Sequence, residues 1–597
     1  MNTAHGMQQK PKTVGTLNLY ILAIIVGVVA GIGAVVFRDL IALFHNVFFL
    51  GKFSIHYNSI KHTPASPWGA FIILVPVIGA AIVAYLVKNY APEAKGHGVP
   101  EVMESIYYKK GIIRPIVAVI KSVASALSIG TGGSVGREGP IIQIGASFGS
   151  TLGQYVEMRT WQRITLIAAG AGGGIAATFN TPVGGILFAI EIMLQEVSVR
   201  TLVPVSLATA TATYIGRIFF GQSPSFSIPG LEMPYFHLTD PWVLLSYIGL
   251  GLLMGGVSAL YIKSIYSFED IFEDKIKSSY YLRHMTGMLL VGIMMYLSLR
   301  LFGNYYIQGV GYATIQDMLS GNLTVLFLLL LLPVLKLLSV SLTLGSGASG
   351  GVFSPGLYMG ATLGGAYGII LGKIFPGLSI SAPAFAVAGM AGVIGGSTGA
   401  AMAAIVMIFE MTLDYNVIIP MTLTVAISYG IRKMLVSESI YTLKLARRGH
   451  YMPEALQANY HHEIEAKDAM DTKFEIVSDQ TSLKDFAHTV TDNDEIPWFL
   501  RTDQKGNITG VLSRDIALKA FQKVDHKTLE DLEISDFGTV QQHTKLFKVV
   551  DQISNTSSHT ALVLNKNGKA TRENVTGIIT RNHISKVMEQ AMELFSE

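Results

Sequence analysis

The stretch GTGGSVGREGP, residues Gly130 to Pro140, places Arg137 and Glu138 in a glycine-rich segment between long apolar runs. Glycine weakens a helix, whereas proline is favoured in the first turn of one. The stretch therefore predicts a break between two helices, with a new helix that begins at GREGP. A charged pair at such a break is costly in a chain this apolar, which makes the segment the first candidate for a functional site.

The composition is that of a protein that crosses a membrane several times. Half of the 597 residues are hydrophobic and 14% are charged, whereas about a quarter are charged in soluble proteins. Apolar segments follow one another from Tyr20 to Ile431 with short polar breaks. Neither a single signal peptide nor one buried core produces that pattern. The sequence therefore predicts an integral multi-pass membrane protein.

Several other classes of protein are disfavoured. The net charge of +3 gives no indication of nucleic-acid binding. The chain has no cysteine, so it has neither a disulfide framework nor a cysteine-ligated metal. It contains no His-Glu-x-x-His zinc motif, and GTGGSVG lacks the lysine that ends a phosphate-binding loop. We therefore expect a protein that is not an enzyme and has no metal site.

Basic residues predict the orientation of the chain. They flank the apolar region at its two ends: Lys10, Lys12, Arg432, Lys433, Lys444, Arg447 and Arg448. By the positive-inside tendency both termini are cytoplasmic. Beyond Glu463 the composition changes to mixed charge with alternating strand and helix patterns, as in a soluble domain. The predicted parts are a cytoplasmic N-terminal tail (1–14), two transmembrane halves (15–235 and 236–441), a linker (442–463) and two small C-terminal domains (464–525 and 526–597).

The membrane part contains an internal repeat. GTGGSVGREGP at 130–140 aligns without gaps with GSGASGGVFSP at 345–355. AAGAGGGIAATFNTPVGGILFAIE at 168–191 aligns with VAGMAGVIGGSTGAAMAAIVMIFE at 387–410. The two matches keep their order at nearly one offset, which chance matching of glycines does not explain. Repeated halves with glycine-interrupted apolar segments are typical of transporters whose site lies between the halves, near the middle of the membrane.

The interrupted segments predict an anion site. Hydrocarbon offers no partner to backbone N–H groups, so a broken helix needs protein or water around its ends. A helix that begins inside the membrane directs free N–H groups and the positive end of its dipole at one point, where an anion binds. GREGP, GGVFSP and GHGVPEV (96–102) are three such helix starts. The alternative is that the small residues only allow close helix packing.

Glu138 is the most informative residue of the site. A carboxylate beside amides that hold an anion competes for the same position, and its protonation releases it. Glu138 is therefore predicted to be a pH-sensitive gate. The alternative is a local ion pair with Arg137 at the membrane interface.

These motifs resemble those of the CLC family of chloride channels and chloride/proton exchangers. GREGP at 136–140 matches a family motif outright, and GGVFSP and GHGVPE match two more, the last with two changes. FNTPVGGILFAIE at 179–191 is also similar, and Lys121 has the expected spacing before GREGP. The resemblance implies an all-α membrane fold of two inverted-topology repeats with broken helices, a homodimer, and one chloride pathway in each subunit.

The resemblance also implies roles for individual residues. Glu138 corresponds to the external gating glutamate. The anion-binding residues are His97, Gly136, Arg137, Glu138, Gly139, Val352, Phe353 and Tyr441, with the central anion held by the amides of Val352 and Phe353 and by the hydroxyl of Tyr441. For Tyr441 the alternative is an anchor at the membrane interface.

Two positions depart from the family pattern. His97 stands where the family has a serine; imidazole can donate a hydrogen bond to chloride, and it can also turn away. Ile192 stands where family exchangers often carry an inner glutamate that relays protons. Isoleucine carries no proton, so this position favours a passive chloride channel. The alternative is a coupled chloride/proton exchanger, since some exchangers lack that glutamate.

The C-terminal segment resembles a pair of CBS modules. GVLSRDIALKA at 510–520 and GIITRNHISKV at 577–587 share one strand–turn–helix pattern. CBS pairs often bind adenine nucleotides such as ATP, ADP or AMP. The usual ribose-binding aspartate is replaced by Ile516 and His583, with Asp515 one position early. A module for dimerisation and stability is therefore the alternative to a nucleotide site.

Overall fold

The computed structural model describes residues 14–195, 197–228, 241–276, 278–450, 464–492, 495–520, 528–531, 536–554 and 560–593. The predicted tail (1–14) lies outside the described residues except for Val14, as do residues 451–463 of the predicted linker. The chain divides into two compact units, Met1–Met452 and Pro453–Glu597. Residues 442–447, which the sequence analysis assigns to the linker, form a helix of the first unit.

The first unit is built from helices. They are α1 (Thr16–Leu50), α2 (Val75–Tyr90), α3 (Val99–Tyr107), α4 (Ile116–Gly130), α5 (Glu138–Tyr155), α6 (Thr160–Phe179), α7 (Pro182–Phe188), α8 (Val199–Phe220), α9 (Pro241–Asp270), α10 (Tyr280–Phe302), α11 (Tyr312–Leu319), α12 (Leu326–Ser346), α13 (Phe353–Ile374), α14 (Ala382–Thr398), α15 (Ala401–Thr412), α16 (Ile418–Leu435) and α17 (Thr442–Arg447). Short 3-10 segments are Gly69–Leu74, Pro92–Ala94 and Tyr415–Val417, and π-helical turns are Ala189–Leu194 and Ile271–Lys275. Seven helical segments of the described chain are long and apolar enough to cross a membrane.

The predicted helix breaks are present. Helix α4 ends at Gly130 and α5 begins at Glu138, while α12 ends at Ser346 and α13 begins at Phe353. At 1.5 Å per residue, the 15 residues of α4 extend only about 22 Å, less than the roughly 30 Å of a hydrocarbon core. Helix α4 is therefore too short to cross the membrane before the chain turns at the first glycine-rich stretch.

The two halves meet around a local two-fold axis. Gly136 and Gly351 are equivalent in the repeat, and each donates its N–H to the carbonyl of the other, at 2.7 and 2.6 Å. The pair forms an antiparallel bridge. Antiparallel pairing of equivalent residues means that the two segments run in opposite directions. The prediction of two inverted halves with broken helices is thus confirmed.

A second pair of reciprocal hydrogen-bonded contacts between the halves obeys the same symmetry. The carboxylate of Glu191 accepts the N–H groups of Met402 and Ala403 at the start of α15, at 3.2 and 2.8 Å. The carboxylate of Glu410 accepts those of Val183 and Gly184 at the start of α7, at 3.1 and 2.7 Å. Each half therefore supplies a glutamate that caps a helix of the other half.

The second unit is a small α/β region with an internal repeat. Its strands are β1 (Phe474–Ser478), β2 (Trp498–Thr502), β3 (Ile508–Ser513), β4 (Gly538–Gln541), β5 (Thr560–Leu564) and β6 (Val575–Thr580), and its longer helices are Leu483–Asp492, Arg514–Ala520, Leu546–Ser554 and Arg581–Glu593. The sheets β1-β2-β3 and β4-β5-β6 have one topology, in which the first pair is parallel and the second antiparallel. Leu500, Val511, Leu562 and Ile578 share one core between them.

We predict that Glu191→Ala and Glu410→Ala destabilise the protein to a similar extent. Each removes the carboxylate from two helix N–H groups, and loss of such a cap costs about 1–2 kcal/mol. Thermal unfolding of the purified protein in detergent measures both changes. Each variant is the matched control of the other, and a large effect of only one would contradict the symmetric exchange of caps.

Candidate functional site

The site lies where three helices begin. Gly136 pairs with Gly351 before α5 and α13, and Gly96 pairs with Ser349 before α3. The N-termini of α3, α5 and α13 are therefore held side by side by backbone hydrogen bonds. Their unpaired N–H groups and positive dipole ends converge, as the sequence predicts for an anion site.

Two buried lysines hold the turns that precede α3 and α11. Lys121 of α4 donates from Nζ to the carbonyls of Ala94 and Gly96, at 3.0 and 2.8 Å. Lys336 of α12 donates in the same way to Ile307 and Gly309, at 3.1 and 2.8 Å. Both lysines are fully buried, and they occupy equivalent positions in the repeat. Each fixes the glycine-rich turn that precedes a short helix, α3 in one half and α11 in the other.

Gly139 allows the start of α5 to pack directly against the backbone at His97 and Gly351. A Cβ atom at this position would lie 2.1 Å from the carbonyl oxygen of His97 and 3.2 Å from Cα of Gly351. No side chain fits such distances, because backbone atoms on both sides cannot move independently. The requirement for glycine in GREGP is therefore steric.

Glu138 is fully buried at the first position of α5. Its Oε1 accepts hydrogen bonds from the hydroxyls of Tyr312 and Ser354. Its Oε2 accepts the backbone N–H of Ser354, in the first turn of α13, at 3.3 Å. The carboxylate thus occupies the anion position that the start of α13 offers, and it does not form the alternative ion pair with Arg137 among the contacts of the described residues.

Arg137 faces the entrance instead. Its guanidinium lies over the rings of Tyr312 and Phe179, with Cζ 5.1 and 5.8 Å from the ring centroids. Arg137 and Arg38 together line two cavities of about 530 and 170 Å³. The smaller cavity also reaches Tyr312. The positive charges of these two arginines favour the approach of an anion to the cavities.

Residues of the second half and of the last helix close the site on the other side. Val352, Phe353 and Tyr441 are buried, at 3, 3 and 2% exposure. Tyr261 of α9 donates to the carbonyl of Val352 at 2.8 Å. The ring centroid of Tyr441 is 5.8 Å from that of His97. The structure therefore places Tyr441 beside His97, and it buries Val352 and Phe353 at the start of α13.

His97 has a defined tautomer. Tyr266 donates its hydroxyl hydrogen to the carbonyl of Ile440 at 2.7 Å. Towards Nε2 of His97, 3.4 Å away, the Tyr266 oxygen can then only accept. The neutral ring consequently carries its hydrogen on Nε2 and a lone pair on Nδ1, which is buried and has no hydrogen-bond partner among the described residues. Neutral His97 has no N–H left to donate to an anion.

Ile192 is buried in the π-helical turn that follows α7. The neighbouring Glu191 already caps α15. Position 192 therefore offers no carboxylate, and the carboxylate of Glu191 is already hydrogen-bonded to the start of α15.

Sequence reasoning missed four side chains that shape the site: Tyr261, Tyr266, Tyr312 and Ser354. A signal for Tyr312 was present, because GVGY at 309–312 repeats the pattern of GHGV at 96–99 and marks the start of α11. Gly309 and Gly311 have positive φ, as do Gly96 and Gly98. Tyr261 and Tyr266 lie inside the long helix α9, where no local pattern distinguishes them.

Interrupted helices whose N-termini meet inside a two-fold helical membrane scaffold define a class of protein that passes anions across a bilayer. The family model described as voltage gated chloride channel matches residues 79–433. The chain therefore belongs to this family, the CLC family of anion transporters.

The alignments with curated relatives cover most of each relative's length. A protein of Ralstonia nicotianae with the provisional name chloride channel protein ClcB-like is 32% identical over 64% of this chain and 87% of its own length. An H(+)/Cl(-) exchange transporter ClcA of Yersinia pseudotuberculosis is 31% identical over 72% of this chain and 88% of its own. The H(+)/Cl(-) exchange transporter ClcA of Cronobacter sakazakii is 30% identical over 72% of this chain and 90% of its own length.

Solved structures share the fold. A slow cyanobacterial Cl-/H+ antiporter superposes with a TM-score of 0.64 at 24% identity, covering 73% of this chain and 99% of its own. A eukaryotic CLC transporter superposes with a TM-score of 0.58 at 19% identity, and the superposition covers 95% of this chain and 98% of that transporter. The predicted fold class is thus confirmed.

We predict that Gly139→Ala reduces chloride flux at least tenfold, because the new methyl group would force α5 away from the turn at His97. Flux into liposomes and the yield of folded protein measure the effect. The matched control is Gly256→Ala in α9, where a Cβ meets no atom within 4 Å. Wild-type flux in Gly139→Ala would contradict the close packing of the helix starts.

We predict that His97→Ser strengthens chloride binding at about pH 7. A serine hydroxyl can donate a hydrogen bond to the anion, whereas the neutral imidazole directs its one N–H at Tyr266. Calorimetric titration of both proteins with chloride measures the effect. Equal affinities of the two proteins would contradict a serine contact with the anion at this position.

Proposed function

We propose that this protein is a chloride/proton exchanger in which Glu138 is the external gate. The sequence analysis favours a passive channel because of Ile192. The relatives from Yersinia and Cronobacter, which are named as exchangers, support the alternative better. Exchange by this chain then proceeds without a carboxylate at position 192.

The observation that carries the proposal is the position of the Glu138 carboxylate. It accepts the N–H of Ser354, so a chloride ion at the start of α13 and the ionised carboxylate exclude each other. Protonation removes the negative charge that holds the carboxylate there. Proton binding and chloride binding therefore favour the same movement of one side chain, which is the physical requirement for coupling.

The wider assembly belongs to the same proposal. We infer a homodimer with one chloride pathway in each subunit and with both termini on the cytoplasmic side. The two sheets of equal topology support the interpretation of the C-terminal unit as a pair of CBS modules. A bound adenine nucleotide stays a prediction, since Ile516 and His583 replace the usual ribose-binding aspartate and Asp515 lies one position early.

We predict that a proton gradient at fixed chloride shifts the reversal potential of the wild-type protein in a planar bilayer. In Glu138→Gln the shift disappears and chloride flux stops responding to pH, because glutamine imitates the protonated carboxylate and cannot release a proton. The same variant in liposomes is expected to pass chloride without proton movement.

The control is Glu157→Gln, which changes an exposed glutamate between α5 and α6 and should preserve both properties. A wild-type reversal potential that ignores the proton gradient would identify a passive channel. A Glu138→Gln protein with the wild-type pH response would exclude Glu138 as the gate.

A further inference from the structure

Two side-chain hydroxyls hold the Glu138 carboxylate. Tyr312 is the first residue of α11, and Ser354 lies in the first turn of α13. Both reach the same oxygen, Oε1, and their own oxygens are 2.8 Å apart. Both side chains are buried, so water does not replace these contacts. Tyr312 and Ser354 are called the hydroxyl pair below.

The hydroxyl pair has two hydrogens to donate. With the carboxylate in place, each hydroxyl can give its hydrogen to Oε1. If the carboxylate leaves, one hydroxyl can donate to the other, and one hydrogen then has no acceptor within the pair. A buried donor without an acceptor costs about 1–3 kcal/mol. The pair therefore requires an acceptor in the position of Oε1, and an anion is such an acceptor.

The surroundings keep Tyr312 in place. Phe226 packs edge-on against its ring, with centroids 5.4 Å apart, and the Arg137 guanidinium covers it from the side of the entrance. The ring also lines the smaller cavity. Tyr312 and Arg137 thus line one cavity, and the Tyr312 hydroxyl contacts the Glu138 carboxylate.

We propose that the hydroxyl pair is a ligand set shared by the gate and the transported anion. It holds the ionised carboxylate of Glu138 in the closed state and donates to the anion once the carboxylate is protonated and leaves. This inference rests on the proposed function, because it needs Glu138 to move. It adds two side-chain ligands to those that the family resemblance implies.

The charged and titratable groups around Glu138 are few among the described residues. They are Arg137 beside it, Tyr312 on α11, Lys336 on α12, Tyr261 on α9, Tyr441 before α17 and His97 before α3. Of the uncharged donors, the hydroxyl pair alone makes side-chain hydrogen bonds to the carboxylate in the described structure. Removing one hydroxyl therefore weakens the ionised, closed state without removing a charge.

We predict that Tyr312→Phe and Ser354→Ala each move the midpoint of proton-activated chloride flux to higher pH, by about one pH unit. With one donor lost, the carboxylate takes up a proton and leaves at a lower proton concentration. Flux into liposomes over a series of pH values gives the midpoint. The matched control is Tyr247→Phe, which removes a buried hydroxyl that has no hydrogen-bond partner in the described structure and lies on α9, stacked on Phe385.

The second half of the proposal is tested in Glu138→Gln, where the gate no longer titrates. Adding Tyr312→Phe should then leave the pH response flat but weaken chloride binding roughly tenfold in a calorimetric titration. Ser354→Ala should act in the same direction, which guards against a defect specific to one variant.

The outcomes separate this inference from the proposed function. If Glu138→Gln keeps the wild-type pH response, the proposed function fails. If Glu138→Gln behaves as expected but neither hydroxyl variant moves the midpoint, the hydroxyl pair does not hold the gate. Unchanged chloride affinity in the double variants would show that the pair does not bind the anion.

Discussion

The structure depends on backbone N–H groups that have no partner within their own helices. Two interrupted helices point such groups at one place, and the reciprocal hydrogen bonds between Gly136 and Gly351 hold the two ends there. Only residues without side chains permit this approach, as the distances at Gly139 demonstrate. The symmetry of the two halves therefore produces the site directly: the axis that relates them passes between the two glycines.

The same symmetry explains where the stabilising charges lie. Glu191 and Glu410 satisfy helix starts across the axis, so their carboxylates support the scaffold and are not available for transport. Lys121 and Lys336 bind the carbonyls of the turns before α3 and α11. Four buried or half-buried charges thus have structural partners within the scaffold.

Much of this arrangement could be predicted from the sequence, because a glycine-rich break is a local pattern and the repeat doubles it. GREGP and GGVFSP identified the starts of α5 and α13, and Glu138 stood out as a charge in an apolar region. The hydroxyl pair could not be predicted in this way. Tyr312 and Ser354 are 42 residues apart on different helices, and only the folded chain brings both to one carboxylate oxygen.

The distribution of donors and acceptors explains why the site suits an anion and not a cation. Carbonyl oxygens near the helix starts are consistently occupied: those of Val352 and Ile440 accept tyrosine hydroxyls, and that of Gly96 accepts Lys121. The groups directed at the Glu138 carboxylate are donors: the hydroxyls of Tyr312 and Ser354 and the backbone N–H of Ser354. A cation would need oxygen acceptors in that place, whereas a chloride ion would meet these donors.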